Sequence, residues 1–164
     1  MSILKILFAC FILLVINGCE KKYQDGPNIS LKSEEARLAR KWQVQLAYKS
    51  VFTDKPTNGE DQTLEWQNLT IEFKDDKTYL LENFNLDLTI KTIETGIWEF
   101  TDDFVKVNTK GYSTQYDVET NSIVSEGVKN NTWRVMRLSK KELWVWYQNQ
   151  VEPPWIYMQF DALK

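Results

Sequence analysis

Histidine is absent from this 164-residue chain, and cysteine occurs only twice, at Cys10 and Cys19. The first absence excludes the Ser-His-Asp and Cys-His nucleophile pairs, which need an imidazole base. With both thiols in the leading segment, most zinc sites go as well. A clustered basic face is also missing: 20 Lys and Arg are interspersed with 23 Asp and Glu, for a net charge of −3. Nucleic acid is therefore not an expected partner. A carboxylate-only hydrolase is the enzymatic class left standing. The acid pairs do not favour it, because Asp75-Asp76 and Asp102-Asp103 are adjacent residues in turns, where neighbouring side chains point apart and are solvated. No enzymatic activity, metal or cofactor is expected. A run long enough to span a bilayer is lacking too. Lys5 is the only charge before Glu20, and the apolar stretch from Ile6 to Ile16 falls short of the roughly 20 residues a span needs.

That short run has the form of a secretory signal: a basic start, an apolar centre and a small residue before the cut. Its end, Ile16-Asn17-Gly18-Cys19, resembles the lipobox of bacterial lipoproteins. The resemblance implies cleavage before Cys19 and lipid on its sulfur and new amino group. Two or more acyl chains hold a protein at a membrane where one does so only marginally. Residues 1–18 then read as a lipoprotein signal peptide, 19–32 as a tether containing the turn residues Asp25-Gly26-Pro27-Asn28, and 33–164 as one domain. Cys10 would leave with the signal and Cys19 would carry lipid. No disulfide would remain, so stability would rest on a core. The expected location is the cell envelope, as an outer-membrane lipoprotein facing either the periplasm or the surface.

Within 33–164 one short stretch reads as helix. Ser33 is a fair N-cap, and Glu34 and Glu35 suit a first turn. The rest alternates with period two. Trp42, Val44, Leu46 and Tyr48 share one face of a strand, and so do Leu69, Ile71 and Phe73. Tyr79 to Thr89 reads as a longer strand whose phase slips near Glu82 or Asn83, as at a bulge. Thr95 to Phe100, Val105 to Val107, Thr132 to Leu138, Glu142 to Tyr147 and Trp155 to Leu163 follow. The polar span 110–131 is expected to hold one short strand, near Tyr116–Val118 or Ile123–Val124. Eight strands joined mostly by short turns form an antiparallel meander, and closing it removes the exposed edges. The expected fold is all-β: an eight-stranded antiparallel up-and-down barrel preceded by a short helix, with a two-sheet sandwich as the competitor.

"RLARKWQV" (37–44), "LTIEFKDDKTYLL" (69–81) and "TGIWEF" (95–100) resemble the lipocalin-like lipoproteins of Bacteroidetes. In these a short helix precedes Gly-x-Trp, Phe-x-x-Asp-Gly-Thr-Tyr and Gly-x-Trp-x-Phe motifs. The resemblance implies a ligand-holding barrel. This chain departs from it at Arg40 and Lys77, which stand where the family has glycine. In lipocalins an arginine from the last strand also covers the first-strand tryptophan, and residues 155–163 contain none.

The aromatics are the best candidates for a site. Pairing the strands on either side of "QNQVEPP" sorts the last hairpin into two apolar faces. Leu143, Val145 and Tyr147 fall with Ile156, Met158 and Phe160; Trp144 and Trp146 fall with Trp155 and Tyr157. One face fills the barrel and the other is covered or forms a contact surface. The candidate ligand-binding residues are Trp42, Phe73, Trp98, Phe100 and Trp133, with Trp144, Trp146, Trp155 and Tyr157 from the hairpin. Each Trp or Tyr brings an apolar ring with a polar tip. Arg134 and Arg137 read as lying on opposite faces of one strand, so one could point inward and hold an anionic head group, though such a residue more often snorkels or pairs with a nearby acid. Asp117 to Val128 starts like a calcium loop but has Ser122 and Val128 where the glycine and bidentate acid belong, and is rejected as one. Two functions follow: noncovalent binding of a small, mostly apolar ligand, or a protein-interaction or inhibitor module contacting an envelope protein through the aromatic hairpin.

Overall fold

A computed structural model describes residues 33–50, 59–102, 105–149 and 155–164. The expected signal, Cys19 and the tether lie outside these residues. Helix α1 (Glu34–Leu38) is followed by β1 (Lys41–Ser50), a two-residue β2 (Glu60–Asp61), helix α2 (Thr63–Trp66) and β3 (Thr70–Phe73). Then come β4 (Thr78–Phe84), β5 (Ile90–Thr101), β6 (Lys106–Asp117), β7 (Ile123–Leu138), β8 (Glu142–Asn149) and β9 (Trp155–Ala162). Strands β3 to β9 pair in chain order, β1 pairs with both β3 and β9, and every pairing is antiparallel. The result is the expected closed eight-stranded barrel, with β2 added alongside β1.

Helix α1 sits across one end. Ser33 Oγ accepts from the Ala36 amide, capping the first turn. Arg37 donates from Nη1 to the Leu138 carbonyl, and Trp42 donates from Nε1 to the Leu38 carbonyl. These bonds tie the helix to β7 and β1. Arg40 lies with its guanidinium 5.6 Å from the Trp42 ring centroid, so a cation does cover the first-strand tryptophan, supplied from the strand's own start.

The interior at this end is filled by rings and aliphatics: Trp42, Phe73, Trp98, Trp133, Phe160 and Leu69, all buried. Phe73 and Trp98 meet edge to face at 5.7 Å, and Trp98 and Phe100 at 5.8 Å. Such pairs add about 0.5–1.5 kcal/mol beyond area burial. The "KDDK" turn closes β3 to β4 with Lys77 at φ 68°, the left-handed conformation that glycine adopts most readily.

Four expectations are corrected. The strand at 79–89 ends at Phe84; Asn85 to Thr89 is a turn in which Leu88 has φ 60° and Asp87 accepts from Thr89. The apparent phase slip is a strand end. The span 110–131 is a long hairpin continuing β6 and β7, paired from Lys110↔Asn130 to Tyr116↔Ile123. It was hidden because much of it is exposed or polar, so no apolar alternation marks it. In β1 the register shifts between Val44 and Leu46. The extra residue returns Ala47 to the core and sends Leu46 and Tyr48 off that face. A second shift between Val135 and Arg137 resets the phase of β7, so Arg134 and Arg137 share the outer face and neither points inward. Arg137 pairs with Glu142 and covers the Trp144 ring.

Gly96 and Gly111 pair directly across β5 and β6 on the inner face. A Cβ on Gly96 would collide with the Lys110 carbonyl and lie 2.5 Å from Gly111 Cα. Relief there requires backbone to move. Gly96→Ala is expected to cost about 2–3 kcal/mol in urea unfolding with an unchanged m-value.

Candidate functional site

Above the aromatic layer the barrel interior turns polar. Inward positions run 79, 81 and 83 on β4, 92 and 94 on β5, 111, 113 and 115 on β6, and 127, 129 and 131 on β7, following the phase of the buried residues. Glu94 is at the centre, 5% exposed. Its Oε1 accepts from the Tyr79 hydroxyl at 2.5 Å and from Asn131 Nδ2 at 2.9 Å. Asn131 Oδ1 in turn accepts from the Tyr147 hydroxyl at 3.2 Å. Trp133 donates to Thr109 Oγ1 and stacks near Tyr147, 4.5 Å between centroids. Trp66 from α2 meets Tyr147 edge-on at 6.2 Å.

Local sequence explains the geometry. The paired glycines clear the inner surface beside Tyr79, whose hydroxyl lies where a Gly111 Cβ would stand. The ring thus runs flat along the wall to reach Glu94. Ser113 pairs with Gly127 further along, and a Cβ at Gly127 would meet nothing within 4 Å. The wall there is made of small residues and faces open space.

Burial pushes the Glu94 carboxyl above its ordinary range, opposed by the Tyr79 bond, the Lys129 charge and the Asn131 bond. Tyr79 and Tyr147 are pushed up chiefly by burial, with Glu94 adding to both. Both donors to Glu94 fall on one oxygen, and no donor among the described residues reaches Oε2. Asn83 Oδ1 and Trp66 Nε1 are buried without a partner. Unmet buried polar atoms cost about 1–3 kcal/mol each.

An open cleft of about 910 Å3 crosses β5 to β8. Ile97, Glu99, Asn108, Lys110, Thr132 and Gln148 form its floor, with Lys77 and Glu35 at one side. These positions are out of phase with the inward ones, but Trp98, Thr109 and Asn131 line the cleft as well, so it borders residues of both faces. Within it the Thr132 hydroxyl donates to Asn108 Oδ1.

The nine candidate aromatics divide between the two faces. Trp42, Phe73, Trp98 and Trp133 are in the inner core with Phe100 partly buried against it; Trp98 and Phe100 also border the cleft. Trp146 pairs with Tyr157 in β8 and β9, the two-residue shift of the expected 146–155 pairing, and the faces sort as expected. Leu143, Val145, Tyr147, Met158 and Phe160 belong to the inner core with Ile156 packed on it. Trp146 and Tyr157 form a separate buried cluster with Met136, joined by Tyr48, Trp144 and Trp155. Sequence reasoning missed Tyr79, Glu94, Asn131 and Tyr147. The available signal was an acid, Glu94, on the same strand face as Trp98 and Phe100. Among the described residues no cluster of acidic, Cys or His side chains is suited to hold a metal. In comparisons with known proteins, no family model and no curated protein matches the chain.

A carboxyl whose folded pKa is raised stabilises the fold most below its unfolded value, 4.5, and that stability is lost as pH rises through the folded value. Glu94→Gln keeps an acceptor for Tyr79 and Asn131 and removes the buried charge. It is expected to melt about 2–4 °C higher than wild type at pH 7.5, with the gap closing as pH falls toward 4.5. Equal melting across this range would show that ionised Glu94 costs the fold nothing.

Proposed function

We propose that this protein is an envelope lipoprotein, held at the outer membrane through lipidated Cys19, that binds a small ligand noncovalently inside its barrel. The observation that carries the binding reading is a pair of unmet buried polar atoms, Asn83 Oδ1 and Trp66 Nε1, and the Glu94 carboxylate held by donors on one oxygen, beside a wall that opens onto free space at Gly127. Buried polar groups without partners are costly, and a ligand that completes them repays that cost. Aromatic rings of Trp66, Trp133 and Tyr147 supply an apolar surface for its body. The anchoring part of the reading rests on Ile16-Asn17-Gly18-Cys19 and on the resemblance to lipocalin-like lipoproteins of Bacteroidetes.

A second reading, contact with an envelope protein through the outer aromatic hairpin, is supported by the placement of Trp144, Trp146, Trp155 and Tyr157 off the inner face. It is the weaker one, because Trp146 and Tyr157 are already buried, at 0% and 6% exposed, leaving little of either ring for a partner.

Filling the open wall tests the binding reading. Gly127→Phe places a ring in free space on a strand that tolerates aromatics, so its stability is expected to stay within about 1 kcal/mol of wild type. Its affinity for an environment-sensitive apolar dye such as N-phenyl-1-naphthylamine is expected to fall about tenfold or more. Dye bound equally by both proteins would place the site elsewhere. For the anchor, Cys19→Ala is expected to abolish incorporation of labelled palmitate and to release the protein from the membrane fraction.

A further inference from the structure

The barrel wall ends unevenly. Strand β8 first meets β7 at Asn131↔Asn149, and beyond that point Ile123 to Asn130 lie beside β6 alone. Among the described residues no strand pairs with their other side. At roughly 3.3 Å per residue this is a bare strand edge about 26 Å long, with backbone N–H and C=O groups turned outward. Natural sheets guard such edges with proline, outward lysines or a covering element. This edge has no proline, and its one lysine, Lys129, is in phase with the inward residues. It exposes Ile123, Val124 and Val128 at 57%, 55% and 62%. A free edge carrying exposed β-branched residues is suited to accept a further strand.

The charges select which strand. Glu126 stands on the outer face between Val128 and the bulged start of β7, where Ile123 and Val124 lie. Asp117 and Glu119 in the β6–β7 turn and Asp87 in the β4–β5 turn flank it, and a bond from the Val118 amide to the Thr89 carbonyl joins the two turns. Hydrogen bonds from Thr89 and Thr120 hold the Asp87 and Asp117 carboxyls below the usual range, so both are ionised at neutral pH. Lys110 and Lys129 stand at the barrel end of the edge, opposite Asn130 and Gly111. A second copy of this chain fits poorly. Antiparallel pairing of β7 with itself sets one residue opposite its own copy. With Glu126 there, like charges meet directly, which is unfavourable. With Gly127 there, the Ile123 of the second copy falls opposite Asn131, a place that Asn149 already occupies. Centring nearer the turn leaves only 123–127 paired.

We infer that this edge takes an extended segment of a partner protein by β-strand addition, a segment in which a lysine or arginine alternates with aliphatic residues along one face. Main-chain bonds along 124–130 hold the segment. Its base meets Glu126, and its aliphatics cover Val128 and the Ile123–Val124 bulge. The surface is separate from the barrel interior and from the outer aromatics of β8 and β9, so its test leaves the ligand reading untouched.

The purified full-length protein is titrated by fluorescence anisotropy with a dye-labelled, end-capped threonine peptide carrying valine, lysine and valine at alternate central positions. A counterpart carries glutamate in place of the lysine. The lysine peptide is expected to bind about fivefold or more tightly than the glutamate peptide, since opposite charges across a strand pair attract and like charges repel. Glu126→Lys, a change at an exposed position, is expected to reverse that order, with circular dichroism checking that the barrel persists. A proline placed beside the lysine in the peptide is expected to abolish binding, because it removes a donor from the ladder. Amide hydrogen exchange at 124–130 is expected to slow when the lysine peptide is added. Equal binding of the two charged peptides, no binding of either, no reversal by Glu126→Lys, or slowing confined to other strands overturns the proposal. So does a dimer in sedimentation equilibrium whose 124–130 amides are protected before any peptide is added, a result that assigns the edge to a second copy.

Discussion

Everything in this molecule depends on the pairing of its first and last barrel strands. Trp42↔Ala162 through Ser50↔Trp155 closes the sheet, and closure converts two exposed edges into hydrogen-bonded ones. It also creates an inside. Without that contact the inward rings of β1, Trp42 above all, would have no opposite wall, and α1 would have no rim to cross. The helix is in turn fixed by the indole of Trp42 and the guanidinium of Arg37, so closing the barrel and capping its end are one event.

Closure also explains the distribution of polarity. Near α1 the interior is packed with tryptophan and phenylalanine, and this layer carries most of the apolar burial. Further along, glycines at 96 and 111 bring strands and the Tyr79 ring close together, and a carboxylate is held among hydroxyl and amide donors. A buried acid is a poor device for stability, since desolvation of its charge opposes folding. Its presence near the unpartnered Asn83 Oδ1 and Trp66 Nε1, in a part of the barrel that small residues leave spacious, is the physical ground for the proposed binding reading.

Much of the fold was legible because half-buried strands alternate. Leu69, Ile71 and Phe73 alternate without interruption and land in the core as a set. The last hairpin sorted into its two faces from pairing logic alone. Legibility failed where alternation carries no chemical contrast or is interrupted. The long β6–β7 hairpin is polar or exposed on both sides for much of its length. The bulges at Gln45 and Met136 each add a residue and reverse the phase after it, and neither position carries a composition that announces a bulge. The polar site was illegible for a related reason: Tyr79, Glu94, Asn131 and Tyr147 come from four different strands, with up to 68 positions' worth of chain between them, and each alone looks like an ordinary strand residue.

The amino-acid sequence by itself determined the all-β class, the helix before the first strand, the short turns that order the meander, and the absence of imidazole chemistry. These are local matters, set by periodicity, turn residues and composition within a few positions. Tertiary structure alone decided which face of each strand turned inward after a bulge, that an arginine beside Trp42 would cover it, and that Glu94 would meet Tyr79 and Asn131. Those outcomes depend on the registers across β4 to β8 and on barrel closure, and a register is a relation between distant segments that no single segment encodes.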